Sequence, residues 1–229
     1  MNFLELCRRT KQECGISGNG PTTVIGQTGE MKRLIDWVAQ AWVELANERS
    51  DWEFMRKSVI FNTVANVGTY AVGPGLAIDL ADFRRWKTYS FRQYLQSAGI
   101  PTEIILTQYL NYTQFRDFYE LGSRRLTTGR PLYVCVAPDR SVKFGFTPND
   151  IYVTTAEYYR SAQVLAADTD TPIIPDEYHM LIVYRAARKY GYFEVASEQI
   201  EIAGREAADL HNNLMLDYGP TIEMGDSFI

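Results

Sequence analysis

Apolar positions along this chain recur with two different periods, and the switches between them divide it. Near the start, Phe3, Leu6, Cys7 and Thr10 share one helical face. Asn2 stands as N-cap with Glu5 three residues on, the spacing of a capping box. Gly15 ends that helix, and glycines at 15, 18, 20, 26 and 29 frame a loop. Met31, Leu34, Ile35, Val38, Ala41, Trp42 and Leu45 then predict a second helix from Thr28 to Asn47. Trp37 falls off that stripe, so the helix is expected to meet partners on two sides.

Beyond Arg56 the period shortens. Ser58–Val64 and Val67–Val72 are rich in β-branched residues and predict two strands joined at Asn66 and Gly68. Arg84–Phe91 predicts another strand, and Leu106–Tyr119 a helix with Leu106, Tyr109, Leu110, Thr113 and Phe118 inside. Leu132–Ala137 and Ser141–Phe146 read as a hairpin across Pro138-Asp139-Arg140. Val142, Phe144 and Phe146 alternate there with Ser141, Lys143 and Gly145, the mark of a half-buried sheet. A long tyrosine-rich strand, Ile151–Ser161, follows.

The helical period returns at Thr171–Gly191, TPIIPDEYHMLIVYRAARKYG. Each proline holds the residue before it out of the α region. Pro175 with Asp176 and Glu177 suits a first helical turn, where the missing N–H costs nothing and carboxylates meet the positive end of the dipole. From Met180 to Ala187 the helix is apolar on nearly every side, which predicts burial all round and makes Leu181, Ile182, Val183 and, on the second helix, Trp42 core residues. Ser197 is expected to cap a last helix with Ile200, Ala203, Ala207, Leu210 and Leu214 inside. The expected fold is α+β: a helical bundle from 1–55 and 163–217, a β-rich insertion with one helix at 56–162, and an extended tail at 218–229.

Composition adds exclusions. The 229 residues are 46% hydrophobic and 22% charged, ordinary for a globular chain. A formal charge of −5 argues against a protein built around free nucleic acid. Cys7, Cys14 and Cys135 have no CxxC spacing and read as buried free thiols of a reducing compartment. Glu5, Arg8, Arg9 and Lys11 interrupt any leader-like run, and no apolar stretch approaches the ~18 residues of a membrane span.

Candidate chemistry is sparse. The glycine-rich loop lacks both the spacing and the lysine of a phosphate-binding loop, and no strand precedes it as a dinucleotide fingerprint requires. His179 has no second histidine four residues on and reads as a structural histidine; His211 reads as exposed. Asp168 and Asp170 alternate with threonines ahead of Pro172, a turn composition. Arg84, Arg85, Trp86, Lys87, Tyr89, Phe91, Arg92 and Tyr94 form one basic, aromatic cluster. Stacking and cations suit single-stranded nucleic acid, but alternation on a strand splits them between two faces, and a protein interface is preferred. No nucleophile has a partner to activate it. No catalytic residue, cofactor or metal site is expected.

Several segments together resemble one family: SGNGPTT at 17–23, GQTGEMKRLIDWVAQAW at 26–42, Trp52, GRPLY at 129–133, FTP at 146–148, DIYVTTAEYY at 150–159 and the Pro-x-x-Pro approach to the apolar helix. The chain resembles the tailed-bacteriophage head-to-tail adaptor, or connector, proteins. The resemblance implies a helical bundle with a β-rich insertion and no catalysis. It implies a ring, usually twelve-fold, beneath the portal protein at the capsid vertex of the virion, assembled in the host cytoplasm. Such a ring carries tail or nozzle proteins and lets DNA pass without specific binding. Ile222, Met224, Phe228 and Ile229 are the expected portal contacts. Each buries ~1.5–3 kcal/mol of apolar surface on docking, while ordering the tail costs ~1–2 kcal/mol per residue. The balance favours binding only when a ring of tails meets a ring of portal subunits. A tail-terminator or tail-tube protein, and a DNA-binding accessory protein using the Arg84–Arg92 cluster, are the competing readings.

Overall fold

The computed structural model describes residues 1–219; Ile222, Met224, Phe228 and Ile229 lie outside them. The fold is α+β. Helix α1 spans Phe3–Glu13 and α2 Gly29–Glu48. Six strands follow: β1 (Arg56–Asn62), β2 (Thr69–Tyr70), β3 (Phe83–Trp86), β4 (Arg92–Leu95), β5 (Ile104–Ile105) and β6 (Thr107–Tyr109). Segment α3 joins one α turn, Tyr112–Phe115, to a wider π turn, Arg116–Glu120. Then come β7 (Thr128–Gly129), β8 (Tyr133–Val136), β9 (Val142–Gly145), β10 (Thr147–Pro148), β11 (Tyr152–Arg160), α4 (His179–Glu194) and α5 (Ser197–Tyr218). Two compact units result: Met1–Met55 with Ala162–Ile229, and Arg56–Ser161.

In the helical unit, α1, α2 and α5 all lie against α4. That arrangement explains why Leu181, Ile182, Val183, Ala186 and Ala187 are all fully buried: each side of α4 has its own partner. Burying three such aliphatic side chains stabilises the unit by ~1.5–3 kcal/mol apiece. Trp42 is buried as well, and its indole N–H donates to the Gln163 carbonyl at 2.9 Å. The α1 capping box is complete: Glu5 N–H donates to Asn2 Oδ1 at 2.9 Å, and Asn2 N–H to Glu5 Oε2 at 2.8 Å. Trp37 meets the C-terminal end of α4, with its ring 6.2 Å from Tyr190 and 5.6 Å from Phe193. Pro175 precedes one 3-10 turn, Asp176–Tyr178, before α4 proper. Ser197 does not cap α5. Val195 turns left-handed (φ 56°) to end α4, so Ala196 occupies the cap position and Ser197 is already helical. The turn is tight because Gly191 permits it: a Cβ there would sit 2.9 Å from Ile200 Cγ1.

In the β unit, β11 is the spine. It pairs antiparallel with β1 along one edge and with β3 and then β4 along the other; β5 extends β4. A second sheet has the order β2-β9-β8-β6, with β6 parallel to β8. Phe61, Tyr70, Trp86, Phe91, Val134, Phe144 and Tyr158 form their common core. Three expectations are corrected here. The 58–64 and 67–72 segments are not a hairpin: β1 pairs with β11 and β2 with β9, because Asn66 (φ 66°) hands the chain from one sheet to the other. Arg84–Phe91 is not one strand: it breaks at Tyr89 (φ 58°) into β3 and β4, which follow each other along β11. Leu106–Tyr119 is not one helix: Thr107–Tyr109 form β6, only 112–120 are helical, and Phe115 and Tyr119 are buried while Phe118 is exposed.

The hairpin at 132–146 forms as β8 and β9, but its second face is covered rather than solvated. Phe115 and Tyr119 of α3 pack with Cys135 there. The Tyr119 ring lies where a Cβ on Gly145 would be, 2.8–2.9 Å away, so glycine is required at that point of β9.

Candidate functional site

The residues that carried candidate chemistry are consumed by the fold. Asp168 accepts from Val24 N–H (2.6 Å) and Thr23 Oγ1 (3.1 Å). Asp170 accepts from the N–H groups of Ala166 and Ala167, which hold its carboxyl below the usual carboxylate value. Asp170 closes its own turn while Asp168 ties that turn to the 23–24 loop, and no group of three His, Cys, Asp or Glu among the described residues is disposed to hold a metal ion. The glycine-rich loop has the wrong polarity for a phosphate. Buried Lys11 donates to the carbonyls of Gly18 (2.8 Å) and Asn19 (2.6 Å), and Arg8 to that of Pro21 (2.9 Å). A loop that turns carbonyls toward cations offers an anion no N–H cradle.

His179 is fully buried. Its Nε2 donates to the Ile174 carbonyl at 3.2 Å, which leaves Nδ1 to accept from the Met1 amine. Burial pushes its pKa down. His211 is half-buried rather than exposed: Arg185 donates to its Nδ1 at 3.1 Å and the Trp52 ring stands edge-on at 6.4 Å. Burial pushes its pKa down too. Burial also raises the thiols, Cys7 and Cys14 to about 12 and Cys135 to about 11, which leaves them as inert thiols. Cys7 and Cys135 are buried; Cys14 is only half-buried.

The Arg84–Arg92 cluster is dismantled in the same way. Trp86 is buried and its indole donates to the Arg140 carbonyl at 3.1 Å. Arg85 stacks on the Tyr159 ring at 4.8 Å. Glu157 lies 3.5 Å from Arg56 and 3.3 Å from Lys87, and Arg92 pairs with Glu103 at 3.6 Å. No continuous stacking platform for bases results.

What remains are surfaces suited to contact. A cleft of about 330 Å³ opens among α2, α4 and α5. Two ion pairs rung it, Glu48 with Arg185 (2.5 Å) and Glu44 with Lys189 (2.9 Å). The i, i+4 spacing of both acids on α2 and both bases on α4 was readable; their register across helices was not. The outward face of α5 is a second surface: Glu198, Glu201, Ile202, Arg205, Asp209 and Leu216 fall within one third of the helix circumference, opposite buried Ala203, Ala207 and Leu214. Ile202 and Leu216 are exposed on it. The third surface, in the β unit, is the run 121–128, exposed at all eight residues and containing Leu121, Arg124, Arg125 and Leu126. Sequence reading assigned no element or role to it.

The family model described as SU10 adaptor protein matches residues 1–217. The chain belongs to the SU10 adaptor protein family. It is therefore a phage adaptor, a component of the virion. No curated protein gives a significant sequence match. No described helix is long and apolar enough to cross a membrane.

Proposed function

We propose that this adaptor sits at the capsid vertex as a ring, twelve-fold in the complete virion, joined to the portal protein on one side and to tail or nozzle proteins on the other. It extends the channel through which DNA passes and catalyses no reaction. The family match over 1–217 carries this reading. A fold that is 42% helical and 21% strand weighs against a tail-terminator or tail-tube protein, which is mostly β. Portal contact falls to Ile222, Met224, Phe228 and Ile229, apolar residues that follow the last helix.

The helix itself sets where that segment starts. Tyr218 is the last helical residue, and its ring meets Phe54 at 6.1 Å and Tyr178 at 6.0 Å. Tyr178 also donates to Asp217. A truncation that spares the fold therefore begins at Pro220. The test measures mass for the protein alone and with an isolated portal ring. A portal-dependent gain of a full ring of copies is expected from the complete chain. Loss of that gain, with an unchanged melting temperature, is expected after removal of 220–229. No portal binding by the complete chain would overturn the adaptor role, and undiminished binding by the truncated chain would overturn the tail contact alone.

A further inference from the structure

Charge is divided very unevenly between the two units. Residues 56–161 hold 13 Lys and Arg against 8 Asp and Glu, a balance of +5, and the rest of the chain holds 10 against 20, a balance of −10. Several cations of the β unit are paired locally: Lys143 with Glu120 at 2.5 Å, Arg116 with Asp117 at 2.9 Å, and Arg92 with Glu103 at 3.6 Å. The run 121–128 is different. Arg124 rests on the Phe118 ring at 3.7 Å, and no ion pair joins it to an acid among the described residues. Leu121 is 52% and Leu126 77% exposed on either side of Arg124 and Arg125. A rigid 3-10 turn, Ser123–Leu126, thus presents two arginines between two leucines to solvent.

The α5 stripe has the opposite character. Glu198, Glu201 and Asp209 outnumber Arg205, and they alternate with Ile202 and Leu216, the latter 83% exposed. Each carries apolar side chains beside charge of one predominant sign, and the signs are opposite. Two different, mutually complementary patches on one chain make a heterologous, head-to-tail contact, the kind that generates rings, whereas either patch against its own copy would set like charges face to face.

We propose that a second copy of this chain docks its 121–126 turn, through Arg124, Arg125, Leu121 and Leu126, on the outward face of α5. This deepens the ring reading above by naming the surfaces that would join neighbouring subunits.

The test uses the complete chain. One preparation carries Leu126→Cys; two others carry Ile202→Cys or Leu216→Cys, at the two ends of the stripe. Cys7 and Cys135 are buried, and the half-buried Cys14 is replaced by serine (Cys14→Ser) in every preparation. Preparations are mixed and treated with a short bis-maleimide, alone and on the portal ring. Cross-links from position 126 to position 202 or 216 should exceed 126–126, 202–202 and 216–216 products. Arg124→Glu with Arg125→Glu should cut the mixed product about tenfold, since like charges then face each other. Combining that variant with a second copy bearing Glu201→Lys and Asp209→Lys should restore it. Like-with-like products in equal yield, no mixed product with or without portal, or position 126 captured by portal instead, would each overturn the proposal. Portal binding that persists in those cases leaves the adaptor role standing.

Discussion

His179 and His211 are the only histidines in the chain, and both are held below their ordinary value, first of all by burial. At His211 burial is opposed by the Glu48 carboxylate 3.7 Å away and reinforced by Arg185, whose guanidinium donates to Nδ1. The unfolded chain then binds protons more readily than the folded one between 6.5 and the folded values. Their stabilising contribution is complete above 6.5 and is lost as the pH falls from there through the depressed values. Asp139 and Asp170, held down by hydrogen bonds, act the same way only below 3.8. The interval from pH 7.5 to 5.5 thus isolates the histidines. Urea midpoints should fall across it in the wild-type chain, and a His179→Gln, His211→Gln chain should lose most of that slope whatever its absolute stability. A wild-type midpoint that does not move would refute this account. Neither histidine needs a ligand: each is accounted for by the groups that surround it.

The α4–α5 connection is the element where local conformation and helix length conflict. Val195 takes a left-handed backbone (φ 56°) while its side chain is 85% exposed. A β-branched residue there costs about 1–2 kcal/mol and gains no burial in return. Val195→Gly should therefore stabilise the chain by about 1 kcal/mol, seen as a higher urea midpoint with unchanged slope; an unchanged or lower midpoint would show that Val195 makes a contact the exposure conceals. This conflict also marks what the sequence could reveal. The helices were legible because their stripes are continuous: α2 buries Leu34, Ile35, Val38, Ala41, Trp42 and Leu45 as the period requires. The 132–146 hairpin was legible because its strands are neighbours in sequence. The partner of strand β1 was not legible, because β11 lies far along the chain (Arg56 opposite Tyr159, Asn62 opposite Val153) and no local signal encodes that pairing. Leu106, Tyr109 and Leu110 fit a helical period by coincidence: Thr107–Tyr109 extend a parallel edge along β8, and Leu110 is 69% exposed. The exposed faces were least legible of all, because a solvated Leu126 and a buried one read alike.

At the scale of the whole molecule, the net charge of −5 conceals a sum of +5 and −10, and only the residue partners decide what the positive part can bind. A nucleic-acid site needs several cations aligned along a backbone, each releasing counterions from a phosphate. Here Glu157 lies between Arg56 and Lys87, Glu103 meets Arg92, and Trp86 is buried where a stacking base would need its face. Arg124 and Arg125 face solvent together on one turn, beside exposed leucines, and the other exposed cations of the unit, such as Lys57 and Arg140, lie on separate segments. Two phosphate contacts give a salt slope of about −1.8, against −4 or steeper for a groove-tracking protein. The complete chain should therefore show no retention on a 20-bp duplex at about 0.15 M salt, where surface charges more than ~8 Å apart are screened, and only weak, shallow-sloped retention at low salt. Arg92→Ala should leave both unchanged, because that guanidinium is already engaged by Glu103. A slope of about −4 or beyond, reduced by about one unit when Arg92 is removed, would make the β unit a DNA-binding surface. Such a grip on DNA would count against the channel role proposed above, which requires the genome to slide.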